Sequence, residues 1–154
     1  SVKVWDFDTG ECKFDLRGHD NDVECAAFAP TQSYPYIREL VGINGNSKQP
    51  LPGQFVASGS RDKTIKLWDA TGQCIRTFVG HDNWVRGLVF HPSGKFLLSV
   101  SDDKTVKIWE IKTGRCINTF EAHSHFVSCI AFHTLSRIVA TGSIDMTVKI
   151  WECR

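Results

Sequence analysis

Three groups of side chains along the chain have the residue types needed for hydrolytic chemistry. Each group holds a histidine, a serine or threonine and an aspartate, the components of a Ser-His-Asp triad, and it ends in a tryptophan. The hydroxyl residue precedes the aspartate by four positions, and the aspartate precedes the tryptophan by six, in every group. These polar sets are His19, Ser58, Asp62 and Trp68; His81, Ser99, Asp103 and Trp109; and His123, Thr141, Asp145 and Trp151.

The polar sets follow an internal sequence repeat. Four aligned segments contain Trp5, Trp68, Trp109 and Trp151, which are separated by 63, 41 and 42 residues. A Gly-His or Ala-His pair precedes the last three tryptophans, by 49 residues in the first unit and by 28 in the next two. A period of 41–42 residues, with Gly-His early and Trp-Asp late, resembles a blade of a WD-repeat β-propeller.

The repeat units also have the local pattern of strands. Short segments with alternating apolar residues are bounded by turn residues, and no window of helical length shows a 3.6-residue period. The sequence therefore predicts an all-β WD-repeat β-propeller of about three and a quarter blades, with two, four, four and three strands in turn. The predicted units are the end of one blade at 1–17, a blade at 18–79 with an insertion at about 31–54, a blade at 80–121 and an incomplete last blade at 122–154.

The insertion differs in character from the rest of the chain. It holds both tyrosines and three of the five prolines, so we expect a long surface loop between the first two strands of its blade. The alternative is a binding loop that uses Tyr34, Tyr36 and Arg38.

Repetition of the polar sets favours a structural role over catalysis. A catalytic triad needs one nucleophile at a unique site, whereas these residues recur with the repeat, and the chain has no G-x-S-x-G motif. In WD-repeat proteins the same residues form a buried hydrogen-bond chain from aspartate to histidine to hydroxyl to indole. The resemblance therefore implies a protein that is not an enzyme, and a Ser-His-Asp hydrolase is the alternative from another functional class.

Composition limits the partners that this protein is expected to have. The chain has 154 residues, with 18 Lys plus Arg against 17 Asp plus Glu, and a formal net charge of +1. This balance argues against a nucleic-acid binder, and no apolar segment is long enough for a membrane span. None of the six cysteines forms a C-x-x-C pair, which favours reduced thiols in a cytoplasmic protein, and we expect no metal or other cofactor.

Some residues on the predicted top face of the blades lie outside the repeat pattern. Trp84 occurs in the segment GHDNWVRG, where the other units have Asp22 and Phe126. A tryptophan beside arginines has the composition of an interface hot spot, and its alternative role is to fill a gap between blades. The predicted partner-binding residues are Arg61, Trp84, Arg86, Asp102 and Phe126.

Three segments match one family more closely than the general repeat does. They are GSRDKTIKLWD at 59–69, GHDNWVRG at 80–87 and TVKIWECR at 147–154, and with them the whole chain resembles the C-terminal part of lissencephaly-1 proteins. The resemblance implies a seven-bladed ring and, in the complete protein, homodimerisation through an N-terminal LisH segment and coiled coil that this chain lacks. Another WD-repeat scaffold, such as a substrate receptor of a ubiquitin ligase, is the alternative.

The resemblance also implies a function. Lissencephaly-1 proteins regulate cytoplasmic dynein by binding its heavy-chain motor domain, and they also bind NudE-type adaptors and the catalytic subunits of platelet-activating-factor acetylhydrolase Ib. Their location is the cytoplasm, the cytoskeleton and the centrosome. An arginine and a tryptophan on the top face contact dynein in that family, and they correspond to Arg61 and Trp84 here.

Overall fold

Four antiparallel β-sheets follow one another along the chain in the computed structural model, which describes residues 1–42 and 54–153. They contain two, four, four and three strands, and within each sheet every strand pairs with the next one in the chain, so the predicted fold class is confirmed. The strands are β1 Val2–Trp5, β2 Cys12–Leu16, β3 Val23–Phe28, β4 Phe55–Ser60, β5 Thr64–Asp69, β6 Cys74–Val79, β7 Val85–Phe90, β8 Phe96–Ser101, β9 Thr105–Glu110, β10 Cys116–Glu121, β11 Val127–His133, β12 Ile138–Ser143 and β13 Val148–Glu152.

Burial within the sheets follows the pleat. In β5 the apolar residues Ile65 and Leu67 are buried, while Lys66 between them is partly exposed, as expected where side chains alternate between two faces. All six residues of β4 are buried because the neighbouring sheet approaches closely. At Gly59 a Cβ atom would lie 2.6 Å from Val85 Cγ1 of the next sheet, so only glycine fits there.

The apolar core is concentrated between the two four-stranded sheets. Its largest cluster includes Phe55, Ile65, Leu67, Phe78, Val85, Leu97 and Trp109. Val85, the first residue of β7, is completely buried in this cluster. Trp68 packs with the first sheet, and a smaller cluster joins the third sheet to the last.

The insertion is not a plain surface loop over its described part. A 3-10 turn at Thr31–Ser33 leads into helix α1, Tyr34–Leu40, which has a proline in its first turn. Tyr34 and Ile37 of α1 are buried in the main core. The prediction of a loop without helix is therefore wrong for residues 31–42, and residues 43–53 lie outside the described residues.

Burial of α1 also changes the role expected for its polar and aromatic residues. The hydroxyl of Tyr34 accepts a hydrogen bond from the backbone N–H of Gln54 (3.1 Å), so this side chain is a core residue. Tyr36 packs partly buried against the same core, and Arg38 Nη2 lies 3.3 Å from Gln54 Oε1. Glu39 forms an ion pair with Lys112 of the next sheet (3.0 Å), so α1 contacts two sheets.

No helix within residues 1–42 and 54–153 has the length and apolar character required to cross a lipid bilayer.

Candidate functional site

Each polar set forms one hydrogen-bonded chain within a single blade. In the first set, His19 Nδ1 lies 2.7 Å from Asp62 Oδ2, and His19 Nε2 lies 2.8 Å from Ser58 Oγ. The indole N–H of Trp68 donates to the same Ser58 Oγ at 2.8 Å. The aspartate is therefore linked to the tryptophan through the imidazole and the hydroxyl.

The other two sets have the same geometry. The corresponding three distances are 2.6, 2.7 and 2.8 Å for His81, Ser99, Asp103 and Trp109. They are 2.9, 2.8 and 2.9 Å for His123, Thr141, Asp145 and Trp151. Three equivalent arrangements in three sheets match the structural interpretation, because a catalytic centre would differ from its copies.

Access to the hydroxyls also argues against nucleophilic catalysis. Ser58 and Ser99 are completely buried, and Thr141 is 1% exposed. Each hydroxyl oxygen already lies within hydrogen-bond distance of an imidazole nitrogen and an indole nitrogen. A serine nucleophile must reach the carbonyl of a substrate, and these oxygens have no route to one.

The aspartates of the polar sets are held in their ionised form. Burial by itself raises the pKa of Asp62, but hydrogen bonds from the hydroxyl and backbone of Thr64, from His19 and from the backbone of Asp20 outweigh burial and lower the pKa to about 2. Burial likewise opposes ionisation of Asp103, whose pKa is held well below its usual range by hydrogen bonds from His81 and Thr105.

Acid is expected to destabilise the folded chain through Asp62. Because the pKa of Asp62 is lower in the folded chain (about 2) than in the unfolded chain (about 4), its stabilising contribution is complete above pH 4 and is lost as the pH falls through 2. The contribution amounts to about 2 kcal/mol at neutral pH. The free energies of unfolding of the wild type and of Asp62→Asn, measured by urea denaturation, should therefore differ at pH 6 and converge towards pH 2.

A matched control for this measurement is Asp8→Asn, which removes an exposed carboxylate. Its free energy of unfolding should be close to that of the wild type at both pH values. A difference between the wild type and Asp62→Asn that stays constant across the titration would contradict the assigned role of this carboxylate.

A second constellation lies where the first four-stranded sheet meets the next. Arg61 occupies the turn between β4 and β5, and Trp84 the loop between β6 and β7. The guanidinium carbon of Arg61 lies 4.2 Å from the centroid of the Trp84 ring, and that of Arg86 lies 4.8 Å from it. These distances are typical of cation–π contacts. Two predicted binding residues from different sheets, Arg61 and Trp84, are thus neighbours in space.

Carboxylates of the same chain surround these two arginines. Arg61 Nε donates to Glu24 Oε1, and Arg61 Nη1 lies 3.1 Å from Asp22 Oδ2. Arg86 Nη1 donates to Glu24 Oε2 (3.1 Å), while its Nε and Nη2 donate to Asp102 Oδ1 and Oδ2 (2.9 and 3.0 Å). We call the group of Asp22, Glu24, Arg61, Trp84, Arg86 and Asp102 the rim cluster.

The rim cluster gives two of the predicted binding residues, Arg86 and Asp102, ion-pair partners within their own chain. The carboxylate of Asp102 is only 4% exposed and pairs with Arg86, and its role in partner binding stays a prediction. All three nitrogens of Arg86 donate to carboxylates of its own chain, which holds the guanidinium in place, and the role of Arg86 in partner binding stays a prediction. Trp84 is half-buried beside the two arginines and contacts both sheets, so the gap-filling alternative describes part of its environment.

Phe126 occupies the equivalent loop of the last sheet. It is partly exposed, and its ring contacts the imidazole of His125, with centroids 4.5 Å apart. The structure places it in its own loop, and its role in partner binding stays a prediction. Within residues 1–42 and 54–153, no three His, Cys, Asp or Glu side chains are grouped so that they could hold a metal ion.

Reasoning from the sequence missed Glu24. This residue lies on β3, immediately after Val23, just as Arg86 lies on β7 immediately after Val85. Opposite charges at equivalent positions of adjacent repeat units were the available signal, because β3 contacts β7 across the sheet junction and Arg86 pairs with Glu24 there.

Comparison with known proteins identifies the repeat. The family model WD domain, G-beta repeat matches residues 10–69, 72–110 and 114–152. The chain belongs to this WD-repeat family. The WD-repeat chain is also 56% identical over 98 residues to nuclear distribution protein nudF of Aspergillus terreus, a match that covers 62% of the chain and 21% of that relative.

Two further relatives carry the same kind of name. Nuclear distribution protein nudF of Emericella nidulans is 52% identical over 99 residues, covering 62% of this chain and 21% of the relative. Nuclear distribution protein PAC1 of Cryptococcus neoformans var. neoformans is 63% identical over 78 residues, covering 47% and 18%. These similarities confirm the resemblance to lissencephaly-1 proteins, and the WD-repeat chain spans about a fifth of the length of these relatives.

Proposed function

We propose that this chain is part of a non-enzymatic WD-repeat platform that regulates cytoplasmic dynein in microtubule-based transport. The observation that carries the proposal is the rim cluster, in which Arg61 and Trp84 meet at one sheet junction. In the lissencephaly-1 family an arginine and a tryptophan at the matching positions contact the dynein motor domain. Similarity to proteins named for nuclear distribution supports the same pathway.

The chemistry of the rim cluster suits a protein interface. Trp84 supplies apolar area and loses little conformational entropy on binding, since an indole has only two rotatable side-chain bonds. Arg61 and Arg86 are held beside the ring by ion pairs, so little further ordering is needed when a partner binds. The proposed contact is therefore a preformed aromatic surface flanked by two guanidinium groups.

The proposal extends to the complete protein through the family resemblance. There we place the chain in a seven-bladed ring, with blade divisions at 1–17, 18–79, 80–121 and 122–154, and in a homodimer formed by an N-terminal segment. NudE-type adaptors and acetylhydrolase catalytic subunits are the proposed additional partners. The proposed location is the cytoplasm, with the cytoskeleton and the centrosome.

A binding role without catalysis accounts for the polar sets as well. Their serine and threonine hydroxyls are buried and hydrogen-bonded in three equivalent copies, which serves the stability of each blade and exposes no nucleophile. The purified protein, without acetylhydrolase catalytic subunits, is accordingly expected to leave ester substrates intact.

Removal of the indole at the rim is expected to weaken dynein binding. Trp84→Ala in the complete protein should reduce affinity for the dynein motor domain by about 2 kcal/mol or more, roughly 30-fold, which is the usual range for an aromatic hot spot. The melting temperature should change little. Affinity is measured by titrating the motor domain at a fixed salt concentration.

Tyr36→Ala is the matched control for this titration. It also removes a partly buried aromatic ring, but Tyr36 lies in the connection between β3 and β4, at the opposite end of the sheet from Arg61. Its motor affinity should equal that of the wild type. Equal affinities for all three proteins would remove Trp84 from the proposed contact.

A further inference from the structure

In the part of the chain that the structure describes, Glu24 is the one carboxylate that contacts both arginines beside Trp84. Its Oε1 accepts from Arg61 Nε, and its Oε2 accepts from Arg86 Nη1 at 3.1 Å. Both guanidinium carbons lie within 5 Å of the Trp84 ring centroid. Glu24 thus closes a ring of contacts that runs from the carboxylate to one guanidinium, to the indole and to the other guanidinium.

The contacts of Glu24 cross the junction between two sheets. Glu24 and Arg61 belong to the first four-stranded sheet, whereas Trp84 and Arg86 belong to the next. The Glu24 side chain is 17% exposed, so its ion pairs are screened less by solvent than those of a fully exposed pair. The geometry of the indole therefore depends on a charge that the neighbouring sheet supplies.

Charge balance explains why a carboxylate is needed at this place. Two guanidinium groups beside one aromatic ring repel each other, and their attraction to the ring is smaller than their attraction to an ionised carboxylate. Asp102 pairs with Arg86, and the largely exposed Asp22 pairs with Arg61. Among residues 1–42 and 54–153, only Glu24 forms ion pairs with both cations, so its charge holds both near the same ring.

We propose that Glu24 is a positioning residue, which fixes Arg61 and Arg86 against Trp84 and so sets the orientation of the indole before a partner protein binds. The positioning role rests on the contacts above. Its consequence for binding rests on the proposed dynein function. Glu24 itself need not touch the partner.

The positioning role is tested first without any partner, on the indole N–H signals of the five tryptophans in a two-dimensional nitrogen–proton NMR spectrum. The Trp84 signal is assigned by its loss in Trp84→Phe. Glu24→Gln keeps the size of the side chain and removes its charge, so the Trp84 signal should shift and broaden. The Trp68 and Trp109 signals should stay in place, because these indoles donate to Ser58 and Ser99.

Two further variants complete the NMR experiment. Glu11→Gln is the matched control, because Glu11 is an exposed glutamate that also pairs with a cation, Lys13 (2.8 Å), and it should leave the Trp84 signal unchanged. If Glu24→Gln unfolds and so loses the Trp68 and Trp109 signals, Glu24→Asp is used as the test variant. It keeps the charge, so the expected shift of the Trp84 signal is smaller. An unchanged Trp84 signal in a folded Glu24 variant overturns the proposal.

Binding of the dynein motor domain by the complete protein gives the second readout. Glu24→Gln should weaken binding roughly fivefold, since two arginines and an indole must then be ordered on binding, and Glu24→Asp should recover part of the loss. If Trp84→Ala weakens binding and Glu24→Gln does not, the positioning role is wrong and the proposed function stands. If neither variant changes the affinity, the proposed dynein contact fails, and the NMR result alone decides the positioning role.

Discussion

Trp109→Ala is expected to lower the free energy of unfolding by about 3–5 kcal/mol, the usual cost of removing a buried large aromatic ring. Trp109 is 1% exposed, and its ring packs edge-on against Phe78 with centroids 5.8 Å apart. The substitution also removes the indole N–H that donates to Ser99, and the space cannot refill easily because Gly80 contributes no side chain beside the ring. Urea denaturation followed by circular dichroism measures the change.

Trp84→Ala is the internal comparison for this variant. It removes the same side chain, but Trp84 is half-buried and belongs to no polar set, so the free energy of unfolding should fall by about 1 kcal/mol or less. We therefore expect Trp109→Ala to reduce mainly stability and Trp84→Ala to reduce mainly partner binding. Similar losses of stability would show that Trp84 is a core residue and would weaken its assignment to an interface.

The second large effect is expected at the insertion. Tyr34→Ala should destabilise the folded chain by about 3 kcal/mol, because the ring is 1% exposed and packs edge-on against Phe55 with centroids 5.0 Å apart. Its hydroxyl also accepts a hydrogen bond from the backbone of Gln54. The change in the urea midpoint, at constant slope, provides the measurement.

Comparison of three tyrosine variants separates packing from hydrogen bonding at this position. Tyr34→Phe keeps the ring and should cost about 1 kcal/mol, the usual value for one hydrogen bond. Tyr36→Ala removes a ring that is only partly buried, so its effect should be well below that of Tyr34→Ala. If Tyr34→Ala were as mild as Tyr36→Ala, α1 would not be part of the core.

The repeat explains how much of the fold could be predicted. Strand positions such as Ile65 and Leu67 follow a period of two, and the whole pattern recurs after 41–42 residues, so each unit supports the assignment of the others. The polar sets were recognisable for the same reason. Three copies with the same hydroxyl–aspartate–tryptophan spacing cannot be read as a unique active site.

Features that occur only once in the chain had no such support from other repeat units. Helix α1 has seven residues, so Tyr34 and Ile37 sample only one helical turn of the apolar pattern. Contacts with the core and the ion pair between Glu39 and Lys112 stabilise a helix that is too short to form by itself. The insertion accordingly resembled a loop in sequence.

The rim cluster shows a second limit of reasoning from sequence. A glutamate on a strand, such as Glu24, has the pattern of a solvent-facing residue, and its partners Arg61 and Arg86 lie 37 and 62 residues further along the chain. Only the packing of one sheet on the next brings these charges together. Arg61 and Trp84 were predicted to share a surface, but the carboxylates that occupy the arginines were not predicted as part of it.

The shared hydroxyl oxygen of each polar set restricts how the repeat units can diverge during evolution. That oxygen serves an imidazole and an indole at once, so an accepted replacement must supply a hydroxyl at the same place, as Thr141 does where the other units have serine. Substitution of one member leaves the other buried polar groups without their hydrogen-bond partner. Selection therefore acts on the set as a unit. Rim positions carry no such linkage to a repeat. They are free to vary from blade to blade, and such variation lets one propeller acquire a specific partner while every blade keeps the same fold.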